Sequence, residues 1–158
     1  MIKLNVFTLE RLSNYNKDHR KMVNELKEDV GVRRYISTNL EGYIESLEEK
    51  SKDKNDNLIG MNVAYLNRKD GNIPVGLIGL DKFDSKYSIV YALLEKYRGE
   101  NLGLILLQDY AYHLVDDLGI ERVYEYIDKN NTNSINDSKI TGFKNINDDT
   151  YVLKRVKR

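Results

Sequence analysis

Apolar and polar positions alternate through Met1 to Leu9, the period of an edge strand. A helical period follows from Asn14 to Asp29, where Met22, Val23 and Leu26 fall on one face, and a second helical stretch covers roughly Gly42 to Lys50. Ser51 to Asn57, "SKDKNDN", is a polar run suited to an exposed connection. Asn62 to Asn67 and Ile73 to Phe83 then read as strands around "RKDGN", whose Asp70-Gly71 predicts a hairpin because a tight primed turn needs positive φ. Past Asp84 and Ser85, Tyr87 to Leu94 is rich in β-branched and aromatic residues, giving three antiparallel strands in succession.

Leu104, Leu107, Ala111, Leu114 and Leu118 recur at intervals of three and four, so Leu102 to Leu118 is predicted as a long helix that ends at Gly119. Arg122 to Asp128 reads as a strand, and Ser134 to Ile140 as a short helix with Asn131 or Asn133 as cap and Gly142 as stop. Thr150 to Lys157 reads as a last strand. The only proline, Pro74, opens a strand, where a missing N–H does little harm. The predicted class is α+β: a mixed, mostly antiparallel sheet with helices packed on it, in one domain spanning 1–158.

Composition narrows the chemistry. At 158 residues and 41% apolar the chain is long enough for one sizeable core. The 25 Lys+Arg balance the 25 Asp+Glu, so no long-range field steers it toward nucleic acid or an anionic membrane, and any anion site is local. No cysteine is present, which excludes disulfides, thiolate catalysis and zinc-thiolate sites, and His19 and His113 are too few for an ordinary histidine metal cluster. No stretch reaches the roughly 18 apolar residues of a membrane span, and Met1-Ile2-Lys3-Leu4 carries an alternating pattern instead of a signal peptide, so the expected compartment is cytoplasmic. The basic cluster Lys154, Arg155, Lys157 and Arg158 reads as an exposed strand end, and His113 as a surface or packing residue.

One stretch stands apart. "EKYRGENLG", Glu95 to Gly103, interrupts two apolar segments with a cation, two glycines and an asparagine, and runs directly into the long helix. Glycine and asparagine let the backbone bend and approach a ligand closely, and the first N–H groups of a helix want an acceptor, for which a phosphate or pyrophosphate is well suited. The Walker pattern and the dinucleotide fingerprint are both absent.

"YALLEKYRGENLGLILLQ" resembles the acetyl-CoA-binding segment of the GCN5-related N-acetyltransferases, Arg/Gln-x-x-Gly-x-Gly/Ala between a strand and a long helix, and "YIDKNNTNSINDSKITGF" resembles a later segment of that family. In the second segment the matching positions are Asn131, Ser134 and Gly142-Phe143; the resemblance covers roughly Ile73 to Phe143, and the preceding order of elements also fits. Two motifs at the proper separation are more specific than either alone. The resemblance implies a sheet splayed between its fourth and fifth strands, here Tyr87–Leu94 and Arg122–Asp128, with the pantetheine arm of the co-substrate acetyl-CoA hydrogen-bonded in the gap like an added strand.

The implied cofactor-binding residues are Leu93, Leu94, Arg98, Gly99, Glu100, Asn101, Leu102, Gly103, Leu104, Asn131 and Ser134. The pyrophosphate would lie on N–H groups from Gly99 to Leu104, a backbone N–H near Leu93 would hold the oxyanion, and Arg98 would supply a screening charge. Direct attack by an amine needs no enzyme nucleophile and no metal. Where many members carry a tyrosine acid this chain has Ser138, and where some carry a glutamate base it has Ser88; Asp81, Tyr91 and Tyr126 are nearby alternatives. Asn101 replaces the first loop glycine, and Glu95 stands where the family often has proline.

These expectations add up to an N-acetyltransferase acting on a primary amine, a protein N-terminus or a small amine, with its acceptor chosen by the segment Asn14 to Lys50. No nucleic acid or membrane partner is implied, and because many members dimerise, a homodimer is. The Ser88 and Ser138 replacements motivate a rival, a CoA-binding sensor or interaction module; a small α+β scaffold without a CoA site is the third reading.

Overall fold

A computed structural model describes residues 1–29, 40–52 and 57–156. Among them the elements run β1 Ile2–Lys3, β2 Phe7–Arg11, α1 Lys17–Lys27, α2 Leu40–Ser51, β3 Gly60–Leu66, β4 Ile73–Phe83, β5 Lys86–Leu93, a 3₁₀ turn Glu95–Tyr97, α3 Leu102–Tyr112, β6 Arg122–Tyr126, α4 Thr132–Thr141, β7 Lys144–Asn147 and β8 Thr150–Lys154. The strands form one eight-stranded sheet in the order β1-β2-β3-β4-β5-β6-β8-β7. Every pairing is antiparallel except β5 with β6. The central part of the polar run 51–57, and Lys157 and Arg158, lie outside the described residues.

The helices cover both faces. Met22 and Leu26 of α1 and Leu40, Ile44 and Leu47 of α2 pack on Met61, Val63, Tyr65, Leu77 and Leu94. On the other face Leu106, Leu107, Tyr110, Ala111 and the following Leu114 and Val115 pack on Phe7, Leu9, Ile78, Leu80, Ile89, Leu93, Val123, Ile127 and Leu153. Removing these apolar side chains from water is what holds the layers together.

Several boundaries differ from the predicted ones for local reasons. The single strand predicted over Met1 to Leu9 is two, β1 and β2, folded on each other where the Leu4 N–H donates to the Phe7 carbonyl. The long helix changes to a wide π turn at His113–Asp117, where the Leu118 N–H reaches the His113 carbonyl at 3.0 Å. The extra residue in that turn rotates Leu118 off the buried face, leaving it 45% exposed. The tight primed turn sits at Asp84-Ser85, with φ 49° and 62°, between the paired residues Phe83 and Lys86. Asp70-Gly71 instead belongs to the longer loop from Asn67 to Asn72, where Gly71 has φ 123°. Pro74 lies beside a register shift at Ala64/Tyr65, so its missing N–H interrupts a ladder that is already irregular.

Candidate active site

The sheet opens where its one parallel pair parts. Pairing between β5 and β6 is confined to Tyr87 with Val123 and Ser88 with Tyr124; beyond Ser88 the strands diverge. The Leu94 N–H donates to the Val75 carbonyl at 2.9 Å, so alternation along β5 turns the backbone groups of Tyr91 and Leu93 away from β4 and into the opening. The predicted splay is thus present; the two strands are fifth and sixth in chain order because the first predicted strand is two.

The loop Arg98–Asn101 delivers the chain from β5 to α3 across the mouth of this opening. Gly99 and Asn101 both take positive φ, 86° and 62°, which folds the backbone back before the helix starts. The first helical bond is from the Ile105 N–H to the Asn101 carbonyl, and Asn101 gives no side-chain cap. Among the described residues no acceptor meets the N–H groups of Leu102, Gly103 and Leu104, so they and the positive end of α3 are available to an anion. Glu100 is exposed on the loop.

Arg98 holds the loop in place. Its Nε and Nη2 donate to the Leu93 carbonyl at 3.1 and 2.8 Å, and Nη2 also meets Asp29 Oδ2 at 2.6 Å. Of the two backbone positions singled out on β5, Leu94 spends its N–H on β4, whereas Leu93 faces the opening. Asn131 caps α4 by accepting from the Ser134 N–H at 3.3 Å, and Gly142 closes that helix with φ 114°.

Gly103 is the notch of the site. A Cβ there would lie 3.4 Å from Leu93 Cδ1 and 3.8 Å from both Tyr91 Cε2 and Asp137 Oδ2, so β5, α3 and α4 converge on this point. The Tyr91 hydroxyl is buried and makes no well-formed hydrogen bond, with the Ser134 side chain its neighbour on α4. Burial, followed by the charges of Glu125 and Asp137, raises its pKa above the ordinary tyrosine value, and Ser134 opposes the rise. Glu125, on β6, is 2% exposed and accepts a hydrogen bond from the Ser138 hydroxyl. Burial pushes its carboxyl up to about 8, an effect the Ser138 bond opposes and the Asp137 charge reinforces. The half-exposed Asp137 is itself raised by burial.

The candidate catalytic residues divide between the two faces of the sheet. Ser138 sits on the inner side of α4, fully buried, with its hydroxyl on Glu125. Ser88 stands opposite Asp81 on the other face, and Asp81 is held by the Tyr43 hydroxyl at 2.9 Å and by Lys50 Nζ at 2.7 Å, both from α2. Burial and Asp81 together raise the Tyr43 pKa. Tyr126 is 46% exposed at the end of β6. Sequence reasoning missed Glu125 and Asp137. The signal for Glu125 was present: it occupies the inward register between Val123 and Ile127, where a carboxylate is out of place.

A family model described as "Acetyltransferase (GNAT) domain" matches residues 8–144. No curated protein matches the sequence. Among solved structures, a GNAT-family acetyltransferase from Bacillus anthracis superposes with a TM-score of 0.74 at 15% identity over 98% of both chains. An aminoglycoside acetyltransferase in complex with coenzyme A gives 0.72 at 16% identity, over 94% of this chain and 95% of that one. Spermidine N-acetyltransferase from Vibrio cholerae, in complex with CoA and spermine, gives 0.69 at 15% identity with the same coverage. At these identities the likeness is one of fold.

Proposed function

The chain belongs to the GNAT acetyltransferase family, and on that premise we propose that it transfers an acetyl group from acetyl-CoA to a primary amine, of a small molecule or a protein N-terminus. The observation that carries this reading is the convergence at Gly103: unmet N–H groups at the start of α3, the open side of β5 and the Tyr91 ring meet at one notch. In this reading the donor's pyrophosphate lies on the α3 N-terminus and its pantetheine arm pairs with the backbone groups that Tyr91 turns into the opening.

The amine nitrogen attacks the thioester carbonyl carbon, and the Leu93 N–H steadies the oxygen as it gains charge. The C–S bond then breaks, the electron pair leaves on sulfur, and the nitrogen sheds a proton to solvent. The acceptor approaches from the α1 face, where a cleft beside Leu94 and Tyr97 is lined by Asp18 and Glu25 together with Lys21 and Lys96, so its charge is balanced and an amine is selected there by local contacts with no net anionic field.

A thermal-shift titration tests the cradle, with acetyl-CoA and CoA against NAD as control. Ligand at a hundredfold excess over Kd stabilises the native state by about 2.7 kcal/mol, several degrees for a domain of this size. A panel of spermidine, an aminoglycoside and peptide N-termini then reads transfer. A second reading, a CoA-binding module without efficient turnover, draws support from the engagement of Ser138 with Glu125 and of Asp81 with Lys50. It predicts the thermal shift without acetylated product.

A further inference from the structure

Leu93 and Tyr91 turn their backbone groups to the same open edge of β5, but their carbonyls meet different surroundings there. The Leu93 carbonyl accepts from Arg98 Nε at 3.1 Å and from Nη2 at 2.8 Å. The Tyr91 carbonyl faces the stretch where β6 has parted and supplies no ladder partner. The guanidinium is fixed in turn by a forked pair, Nη2 to Asp29 Oδ2 at 2.6 Å and Nη1 to Asp29 Oδ1 at 3.3 Å, with the Asp29 side chain only 11% exposed. Asp29 follows α1, which packs on the opposite face of the sheet from α3. The guanidinium is therefore drawn to the α1 side, and the α3 side of the edge stays clear. Because Asp29 balances its charge, what Arg98 brings to this edge is a set of N–H donors directed at one carbonyl.

Resting on the acyl-transfer reading above, we propose that Arg98, pinned by Asp29, is a positioning residue that sets the register of the acyl donor: it closes the Leu93 carbonyl and leaves the Tyr91 carbonyl as the acceptor for the arm's amide N–H. An extended arm added to a strand edge is prone to slip, because the backbone pattern repeats every two residues, about 7 Å along the strand. Pyrophosphate and thioester are joined by that one arm, so an arm bonded at Leu93 pulls one of them away from its place. Arg98 already makes the hydrogen bond that a slipped arm would make, and slipping gains nothing while it stays. The arm's N–H then finds its acceptor at Tyr91.

Triple-resonance NMR with CoA as the ligand tests this without turnover. It reads the Leu93 carbonyl carbon through the Leu94 N–H and the Tyr91 carbonyl carbon through the Ala92 N–H, both of which lie on the β4 side. In the parent, CoA moves the Tyr91 signal and leaves that of Leu93, already bonded, in place. The paired variant Arg98→Met with Asp29→Asn removes the guanidinium and its counter-charge together, and in it CoA moves both signals. With acetyl-CoA and any amine the panel identifies, the slipped register is non-productive. In the paired variant kcat falls and acetyl-CoA binding tightens by the same factor, roughly twofold to tenfold because the registers differ by no more than about one hydrogen bond, while kcat/KM holds.

An Arg98 that merely stiffens the loop gives the opposite split in the paired variant: binding weakens, kcat/KM falls and CoA still moves the Tyr91 signal alone, which overturns the inference. A parent in which CoA moves the Leu93 signal also overturns it, because Arg98 then yields to the arm. So does a parent that binds CoA with neither signal moving. In each of these cases binding by the parent upholds the acyl-donor reading, whereas a parent that binds no CoA removes that reading and the inference with it. Should the paired variant fail to fold, the parent spectra still decide, together with Asp29→Asn, which loosens the guanidinium and gives a partial CoA response at Leu93; no response there overturns the part given to Asp29.

Discussion

Arg98 Nη2 and Asp29 Oδ2 stand 2.6 Å apart across 69 positions of sequence, and the same guanidinium donates to the Leu93 carbonyl. One side chain therefore fixes the end of α1, the end of β5 and the loop before α3. With the Arg98 side chain 37% exposed, the pair is worth less than a buried one. Arg98→Ala is expected to cost about 1–2 kcal/mol and Asp29→Asn about 0.5–1, with a coupling of about 0.5 kcal/mol in the double-mutant cycle. Chemical denaturation of the four proteins measures it, and strictly additive effects would dissolve the link.

Two glycines of β4 separate stability from site geometry. A Cβ at Gly76 would stand 2.3 Å from the Ala92 carbonyl oxygen and 3.0 Å from Leu93 Cα, whereas one at Gly79 would stand 2.3 Å from the Gly60 carbonyl oxygen, away from the opening. Backbone on both sides has to move, at about 1–3 kcal/mol each. Gly76→Ala and Gly79→Ala should both melt earlier, but only Gly76→Ala displaces Leu93 and weakens acetyl-CoA binding. Equal affinities in the two variants would show that the Leu93 backbone takes no part in binding.

Much of this was legible in the sequence because it rests on local periodicity. The meander β3-β4-β5, the start of α3 at Leu102 and the Asn131 and Gly142 ends of α4 follow from alternation, helical spacing and cap chemistry. The strand β7 was not, because its residues Lys144–Asn147 are exposed throughout and carry no buried stripe to betray them. The same limit applies at the site. Gly103 and Tyr91 were named from the chain, but their convergence with Asp137 and Glu125 depends on how α4 lies over β6, which no local pattern encodes. The failure of Leu118 to join the buried face depends on a π turn, a hydrogen-bond choice invisible to a count of apolar intervals.

The turn Asp84-Ser85 holds two non-glycine residues at positive φ, a strained arrangement for any residue with a Cβ. Ser85→Gly relieves one of them. The relief is partly offset by the greater freedom of glycine in the unfolded chain, leaving a net gain of up to about 1 kcal/mol, or a rise of about 2–4 °C in Tm. A fall in Tm would mean that the serine side chain contributes more than its backbone costs.

Glu125 gives stability a pH slope of determinate sign. Its carboxyl is raised from 4.5 to about 8 in the folded chain, so between those values the native state holds a proton that the unfolded state has lost. Stability therefore declines as pH rises through that window and levels off above it. Asp137, also raised, adds to the decline with the same sign. Glu125→Gln should match the parent near pH 4.5 and exceed it by about 4 kcal/mol at pH 8, seen as diverging Tm curves. Parallel curves would show that the buried carboxyl ionises as freely in the native state as in the unfolded one.

Gly103 decides between a notch built for a ligand and a helix start that is merely tight. The Cβ contacts there begin at 3.4 Å, ordinary van der Waals separation, so Gly103→Ala fits the fold. Alanine also suits a first helical turn better than glycine, and the variant should be as stable as the parent or more so by up to about 1 kcal/mol. Gly103→Glu places a carboxylate beside Asp137 and in the path of any anion approaching the N–H groups of α3. It is expected to stay folded, because the notch opens outward, and to lose acetyl-CoA affinity by at least a hundredfold in calorimetry. If Gly103→Glu bound acetyl-CoA as the parent does, the ligand would have to lie elsewhere, and the unmet N–H groups of Leu102, Gly103 and Leu104 would be an ordinary solvated helix end.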